Sequence, residues 1–117
     1  GILTIYSNIV TVDLSKAQSF ICTATSDITG FRLYNIPSES TSFTIKMSQD
    51  GTGSRAVGID TFYVGGGSTF PVYWPGGVVP VVTTTASRTD IYSFKIFDGT
   101  NVSSVGMYGI VGGQNYA

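Results

Sequence analysis

The chain has 117 residues, of which 42% are hydrophobic and 11% charged, and its formal net charge is -1. That length fits one domain, taken as residues 1–117, and the hydrophobic share excludes a disordered chain. With no basic field there is nothing to hold a phosphate backbone, so no nucleic acid is expected, and no apolar run approaches a membrane span, so no membrane insertion is expected.

The apolar residues are mostly Val, Ile, Phe and Tyr, alongside many Thr, while Leu occurs only at Leu3, Leu14 and Leu33. β-Branched and aromatic side chains suit a pleated surface, and the usual helix formers are scarce. In chain order, Ile9–Leu14 reads as a first strand and Ser19–Thr25 as a second, with Phe20, Cys22 and Ala24 on one face. Asp27–Gly30 is a turn, and Phe31–Asn35 a strand stopped by Ile36-Pro37. Ser42–Ser48 has strict period two, which places Phe43, Ile45 and Met47 on a buried face. Gln49-Asp50-Gly51-Thr52-Gly53 predicts a hairpin turn, with Arg55–Ile59 returning as a strand.

Further along, Asp60–Val64 is extended, Gly65–Thr69 is an outward loop, and Phe70–Trp74 is a short edge piece containing Pro71. Pro75-Gly76-Gly77 turns the chain into an extended Val78–Thr85. Thr89–Phe97 is a long strand with Tyr92, Phe94 and Ile96 on the core side, Asp98-Gly99 is a turn, Asn101–Gly106 is an outward loop, and Val105–Val111 closes the fold. No helical period is found. Turn signals at this spacing predict an all-β, antiparallel β-sandwich, jelly-roll-like.

Candidate chemistry is sparse. There is no His, which removes Ser–His and Cys–His nucleophile pairs and His-based zinc sites. The carboxylates Asp13, Asp27, Glu39, Asp50, Asp60, Asp90 and Asp98 could in principle supply a glycosidase pair, but most lie in or beside turns, where Asp serves local backbone hydrogen bonds. The Asp50-Gly-Thr and Asp98-Gly-Thr loops each carry one carboxylate, too few for a calcium loop. The Gly65–Thr69 run lacks the Lys and following helix of a phosphate-binding loop. No catalytic residue, metal or cofactor is therefore expected, and the chain is read as not an enzyme. Asn101-Val102-Ser103 is a sequon, relevant only to a secreted chain. Cys22 is the only cysteine and is expected to pack as a small hydrophobe. No signal peptide is read at the start, and Gly1 is expected to follow either a removed Met or a longer chain.

The aromatic residues beside glycines and turns are the candidate contact residues: Tyr73, Trp74, Tyr108 and Tyr116. Partly exposed rings can stack on sugar faces or anchor an interface. The competing structural role, for Trp74 and Tyr108, is to cap the sandwich end or meet a neighbouring subunit. Low charge also favours association of the chain with itself.

Several motifs occur in one order across residues 9–116: Asp13-Leu14-Ser15 then Ser19-Phe20; Asp27-Ile28-Thr29 and Asn35-Ile36; and Gln49-Asp50-Gly51-Thr52-Gly53 running on to Val57. Trp74-Pro75-Gly76-Gly77 with Pro80 and Thr83 follows, then Asp90, Ser93-Phe94, Asp98-Gly99-Thr100 and Gly112-Gly113-Gln114-Asn115-Tyr116. In this order they resemble a β-rich domain of bacteriophage virion surface proteins, of the tail-fibre, head-fibre or decoration type. The resemblance implies a structural protein at the virion surface that forms a homo-oligomer, expected to be a trimer, and contacts other virion proteins. Its leading form is a fibre domain for host attachment through a surface glycan or receptor. The alternatives are a capsid decoration (cement) protein and, in a different class, a carbohydrate-binding module.

Overall fold

The computed structural model describes residues 1–117. Its strands are β1 (Ile5–Tyr6), β2 (Ile9–Asp13), β3 (Ser19–Ala24), β4 (Gly30–Tyr34), β5 (Thr41–Gln49), β6 (Phe62–Val64), β7 (Thr69–Phe70), β8 (Val72–Tyr73), β9 (Thr89–Ile96) and β10 (Met107–Tyr116). One helical turn, α1 (Val102–Val105), and two 3-10 turns at Pro75–Gly77 and Gly99–Asn101 interrupt them. No helix is long and apolar enough to cross a membrane.

The strands form two five-stranded sheets, ordered β1-β2-β4-β6-β7 and β3-β5-β9-β10-β8. The all-β sandwich read from the sequence is therefore what the chain builds. Its antiparallel pairing needs correction, because the sheets are mixed: β2–β4, β4–β6, β3–β5 and β10–β8 are parallel pairs. The cause lies in the connections. From β2 to β6 the chain alternates between sheets, so in the β2–β4, β3–β5 and β4–β6 pairs each strand reaches its in-sheet neighbour by a crossover through the opposite sheet rather than by a tight hairpin. Two reversals restore the direction, and a parallel neighbour results. By contrast, β8, β9 and β10 share one sheet. The jelly-roll-like element of the expectation finds no support in this order.

Period two decides which side chains enter the core. Phe43, Ile45 and Met47 of β5 and Tyr92, Phe94 and Ile96 of β9 are buried, as are Phe20, Cys22 and Ala24 of β3. Sheet one answers with Val10, Val12, Phe31, Leu33 and Phe62. Phe62 joins the layers: its ring stacks on Phe31 at 5.1 Å and meets Phe94 edge-on at 5.0 Å and Phe43 at 6.4 Å. Burying rings of this size accounts for several kcal/mol each, about 3–5 kcal/mol by truncation to Ala.

The turn at Asp50 forms, but the predicted return strand Arg55–Ile59 does not; that stretch contributes only an isolated bridge, Ile28 to Val57. The buried side chain of Gln49 takes its place. Gln49 Nε2 donates to the Arg55 carbonyl at 3.0 Å, and Gln49 Oε1 accepts from the Arg55 N–H at 3.0 Å. A side-chain amide thus reproduces the two-bond exchange of a strand pair. The expected outward loop at Asn101–Gly106 is also different, because it coils into α1 and buries Val102. Gly65–Thr69 does reach outward, linking β6 to its antiparallel partner β7.

Candidate functional site: an aromatic groove on the outer face of sheet two

The alternation that fills the core also sets the opposite face of sheet two. Ser42, Thr44, Lys46 and Ser48 of β5 and Thr89, Ile91, Ser93 and Lys95 of β9 point away from the core, joined by Tyr108 and Ile110 of β10. Cross-strand hydroxyl pairs tie this face, with Thr44 Oγ1 2.9 Å from Ser93 Oγ and Ser48 Oγ 2.8 Å from Thr89 Oγ1. Its strands carry two charges, Lys46 and Lys95, and neither is ion-paired, since the one salt bridge in the chain joins Arg55 and Asp50.

At one end of this face lies a groove of about 790 Å³, floored by Ser93 and Ile110 and walled by Phe97, Val105 and Tyr108. Tyr108 is its centre. Its ring lies 5.4 Å from that of Tyr73 and 5.6 Å from that of Phe97, the latter edge-on. The rings are nevertheless half open to solvent, with Phe97 63% and Tyr108 51% exposed. Lys95 Nζ sits 5.5 Å from the Phe97 ring centre. A second, hydroxyl-lined hollow of about 460 Å³ adjoins the groove, sharing Ser42 and Lys95 and adding Gln18, Ser40, Thr41 and Thr44.

Local chemistry fixes the groove walls. Asp98 caps the 3-10 turn, accepting from the backbone N–H of Thr100 at 3.1 Å and of Asn101 at 3.3 Å, and from Asn101 Nδ2 at 3.0 Å. The Asn101 side-chain bond, opposed by some burial and aided by the two backbone N–H groups, holds this carboxyl below the usual range. Thr100 Oγ1 donates to the Ser38 carbonyl and pins the turn to the β4–β5 connection. Gly106 closes α1 at φ 71°, a backbone conformation that side chains resist. Met107 N then donates to the Pro71 carbonyl at 3.0 Å, setting β10 beside β8 with Tyr108 opposite Tyr73.

Of the four candidate residues, Tyr108 lines the groove and Tyr73 packs against its ring at 5.4 Å without lining the groove. Tyr116 is exposed but lies at the far end of β10, opposite Thr89 and beside Lys46 and Ile91. Trp74 is a correction: it is 6% exposed, so it is core and not a contact residue. The Pro75-Gly76-Gly77 turn, with both glycines at positive φ, folds the chain over the sandwich end. The indole drops against the backbone of Gly109, edge-on to Phe94 at 5.7 Å and to Tyr92 at 6.4 Å. Its Nε1 is the one buried side-chain polar atom without a hydrogen-bond partner. Phe97, Val105 and Ile110 were not singled out in the sequence. The available signal is that β10 alternates Met107 and Gly109 with Tyr108 and Ile110, which leaves large apolar side chains on the side expected to be wet.

Asp50 and Asp90 are likewise occupied by structure. Asp50 accepts from Arg55 Nη2 at 2.9 Å, Gly53 N at 2.9 Å and Thr52 N at 3.2 Å. The buried Asp90 holds the end of β10: Oδ2 accepts from Thr83 N (2.8 Å), Tyr92 Oη (2.7 Å) and Gln114 Nε2 (3.1 Å), while Oδ1 accepts from Asn115 N (2.9 Å). Burial works to raise this carboxyl, but the Thr83 and Asn115 N–H groups and the Tyr92 hydroxyl outweigh it, and the net shift is downward. Tyr92, buried and bound to a carboxylate, is pushed up. No three metal-ligating side chains gather anywhere in the chain.

The fold and site define an all-β sandwich domain with an open aromatic groove on one sheet. Comparison with family models, with characterised proteins and with solved structures finds no match to the chain.

Proposed function

We propose that this chain is a non-enzymatic bacteriophage virion protein: an exposed adhesion and assembly domain of a tail or head fibre that attaches to the host surface. The observation that carries the reading is the groove around Tyr108, where the half-exposed rings of Tyr108 and Phe97 line an apolar hollow and Tyr73 packs beside them. Rings ordered before contact lose little entropy on binding, which is how adhesive surfaces gain affinity. The motif order from Asp13 to Tyr116 and the low charge support the same reading.

Association between copies, with the trimer as the number the resemblance implies, has a separate feature in its favour. Beyond Tyr108 the outer edge of β10 has no strand against it, and the Val78–Val81 segment beside it lies in no sheet and exposes Val78 and Val81. Open edges and apolar segments of this kind invite intermolecular pairing. The same feature favours the second reading, a capsid decoration protein, which would use the edge laterally and leave the groove idle.

Binding of the purified protein to bacterial envelopes, lost on Tyr108→Ser, supports the fibre. Stoichiometric binding to expanded empty capsids with no envelope binding replaces it with the decoration reading. A monomer that binds sugar and neither particle nor envelope indicates a carbohydrate-binding module instead.

A further inference from the structure

We infer that the groove and its adjoining hollow form one binding site for an acidic saccharide, a sugar bearing a carboxylate. This rests on the attachment reading and names the ligand class for the same groove. The two hollows share Ser42 and Lys95, so the site has an aromatic end, a hydroxyl-lined end and a cation at their junction. A sugar ring has this polarity: axial C–H groups on a face that stacks on Tyr108, with Phe97 as a side wall, and equatorial hydroxyls that hydrogen-bond to Ser42, Ser93 and Thr44.

The cation decides the class. Lys95 forms no salt bridge, and its ammonium lies 5.5 Å from the centre of the Phe97 ring. Asp98 also lines the aromatic groove, but it is committed to its own turn by three hydrogen bonds and does not line the hydroxyl-lined hollow. A ligand carboxylate therefore seats at Lys95 on the side of the hydroxyl-lined hollow, which Asp98 does not line. A second copy of the chain is a poorer occupant. Face-to-face pairing of sheet two about a twofold axis would bring together surfaces whose only strand charges are Lys46 and Lys95, with nothing to neutralise them.

Amide NMR titration of the full chain tests this, with trigalacturonate and 3′-sialyllactose as probes and the methyl ester of each as control. At least one acid is expected to shift amides at Ser42, Ser93, Lys95, Phe97 and Tyr108. Its affinity is expected to fall about tenfold on esterification and on Lys95→Gln, with recovery in Lys95→Arg, as for loss of a charge-assisted hydrogen bond. Tyr108→Ala removes binding of acid and ester alike. The inference is overturned if neither acid shifts the groove at about 10 mM, a concentration that detects even millimolar affinity. It is also overturned if ester and acid bind equally, or if dilution alone shifts the groove amides, which would identify a second copy as the occupant. Envelope binding that survives Lys95→Gln ends this inference and leaves the attachment reading standing. Acid binding at the groove without envelope binding does the reverse.

Discussion

Asp90→Asn separates the architecture of the C-terminal strand from everything else in the molecule. The wild-type carboxylate takes four hydrogen bonds, three on Oδ2 and one on Oδ1, at 1% exposure. An amide has one acceptor oxygen. Placed at the Oδ2 position it keeps Thr83, Tyr92 and Gln114 but turns its NH₂ towards the Asn115 N–H, stranding two donors against each other. The opposite orientation loses three bonds. The smaller loss is one charge-assisted bond plus a buried unsatisfied donor, about 3 kcal/mol in all. For a domain of this size that corresponds to a fall of about 10 °C in Tm.

The sign with pH follows from the lowered carboxyl. Its contribution is complete above the ordinary Asp value of about 3.9 and is lost as pH falls below that and through the folded-state value. Urea unfolding of wild type and Asp90→Asn, followed by tyrosine and tryptophan fluorescence between about pH 7 and about pH 2, should give curves that converge in acid. Asp13, Asp50 and Asp98 are lowered too, by their own turn hydrogen bonds, but they are common to both proteins and cancel in the difference. A stability difference below about 1 kcal/mol at neutral pH, or one that does not shrink in acid, would refute the reasoning.

The other expectations are simpler. Gln49→Ala removes both bonds to Arg55 and strands that backbone in a part-buried site, so a loss of about 2 kcal/mol is expected in urea unfolding; a loss under about 0.5 kcal/mol would mean that water replaces the amide. Gly109→Ala places a methyl 2.6 Å from the Trp74 ring and should cost about 1–3 kcal/mol and change the near-ultraviolet dichroism of the indole, whereas an unchanged spectrum would contradict the packing of Trp74 on β10. Cys22 is buried and its thiol is pushed up to about 11, so alkylation at neutral pH should track unfolding in urea; rapid labelling with native dichroism retained would disprove its burial.

The parts of this fold legible in the sequence are those with a strictly local cause. Ser42–Ser48 and Thr89–Phe97 alternate so regularly that their buried faces follow from period two alone. The turns at Asp50 and Asp98 follow from Asp chemistry that needs no partner strand. What escaped the sequence depends on distant residues. Parallel pairing of β2 with β4 is set by the route through β3, which no local pattern encodes. The missing strand at Arg55–Ile59 reflects a Gln49 side chain that takes over a backbone role once it is buried. Trp74 turns inward because Gly109, far along the chain, leaves room for the indole. The groove was half legible: Tyr73 and Tyr108 stand out beside their turns, but Phe97 reads as the end of a strand until the Asp98 turn brings it edge-on to Tyr108.

The central claim is that the outer face of sheet two, around Tyr108, makes contact with the host surface. The most direct measurement compares wild type with Tyr108→Ser in envelope-binding assays, with thermal melts as the control for folding. Tyr108 is half exposed but packs on Tyr73 and Phe97, so the variant should lose about 1–2 kcal/mol and remain folded at the assay temperature while binding is lost. Equal binding by two folded proteins would contradict the account.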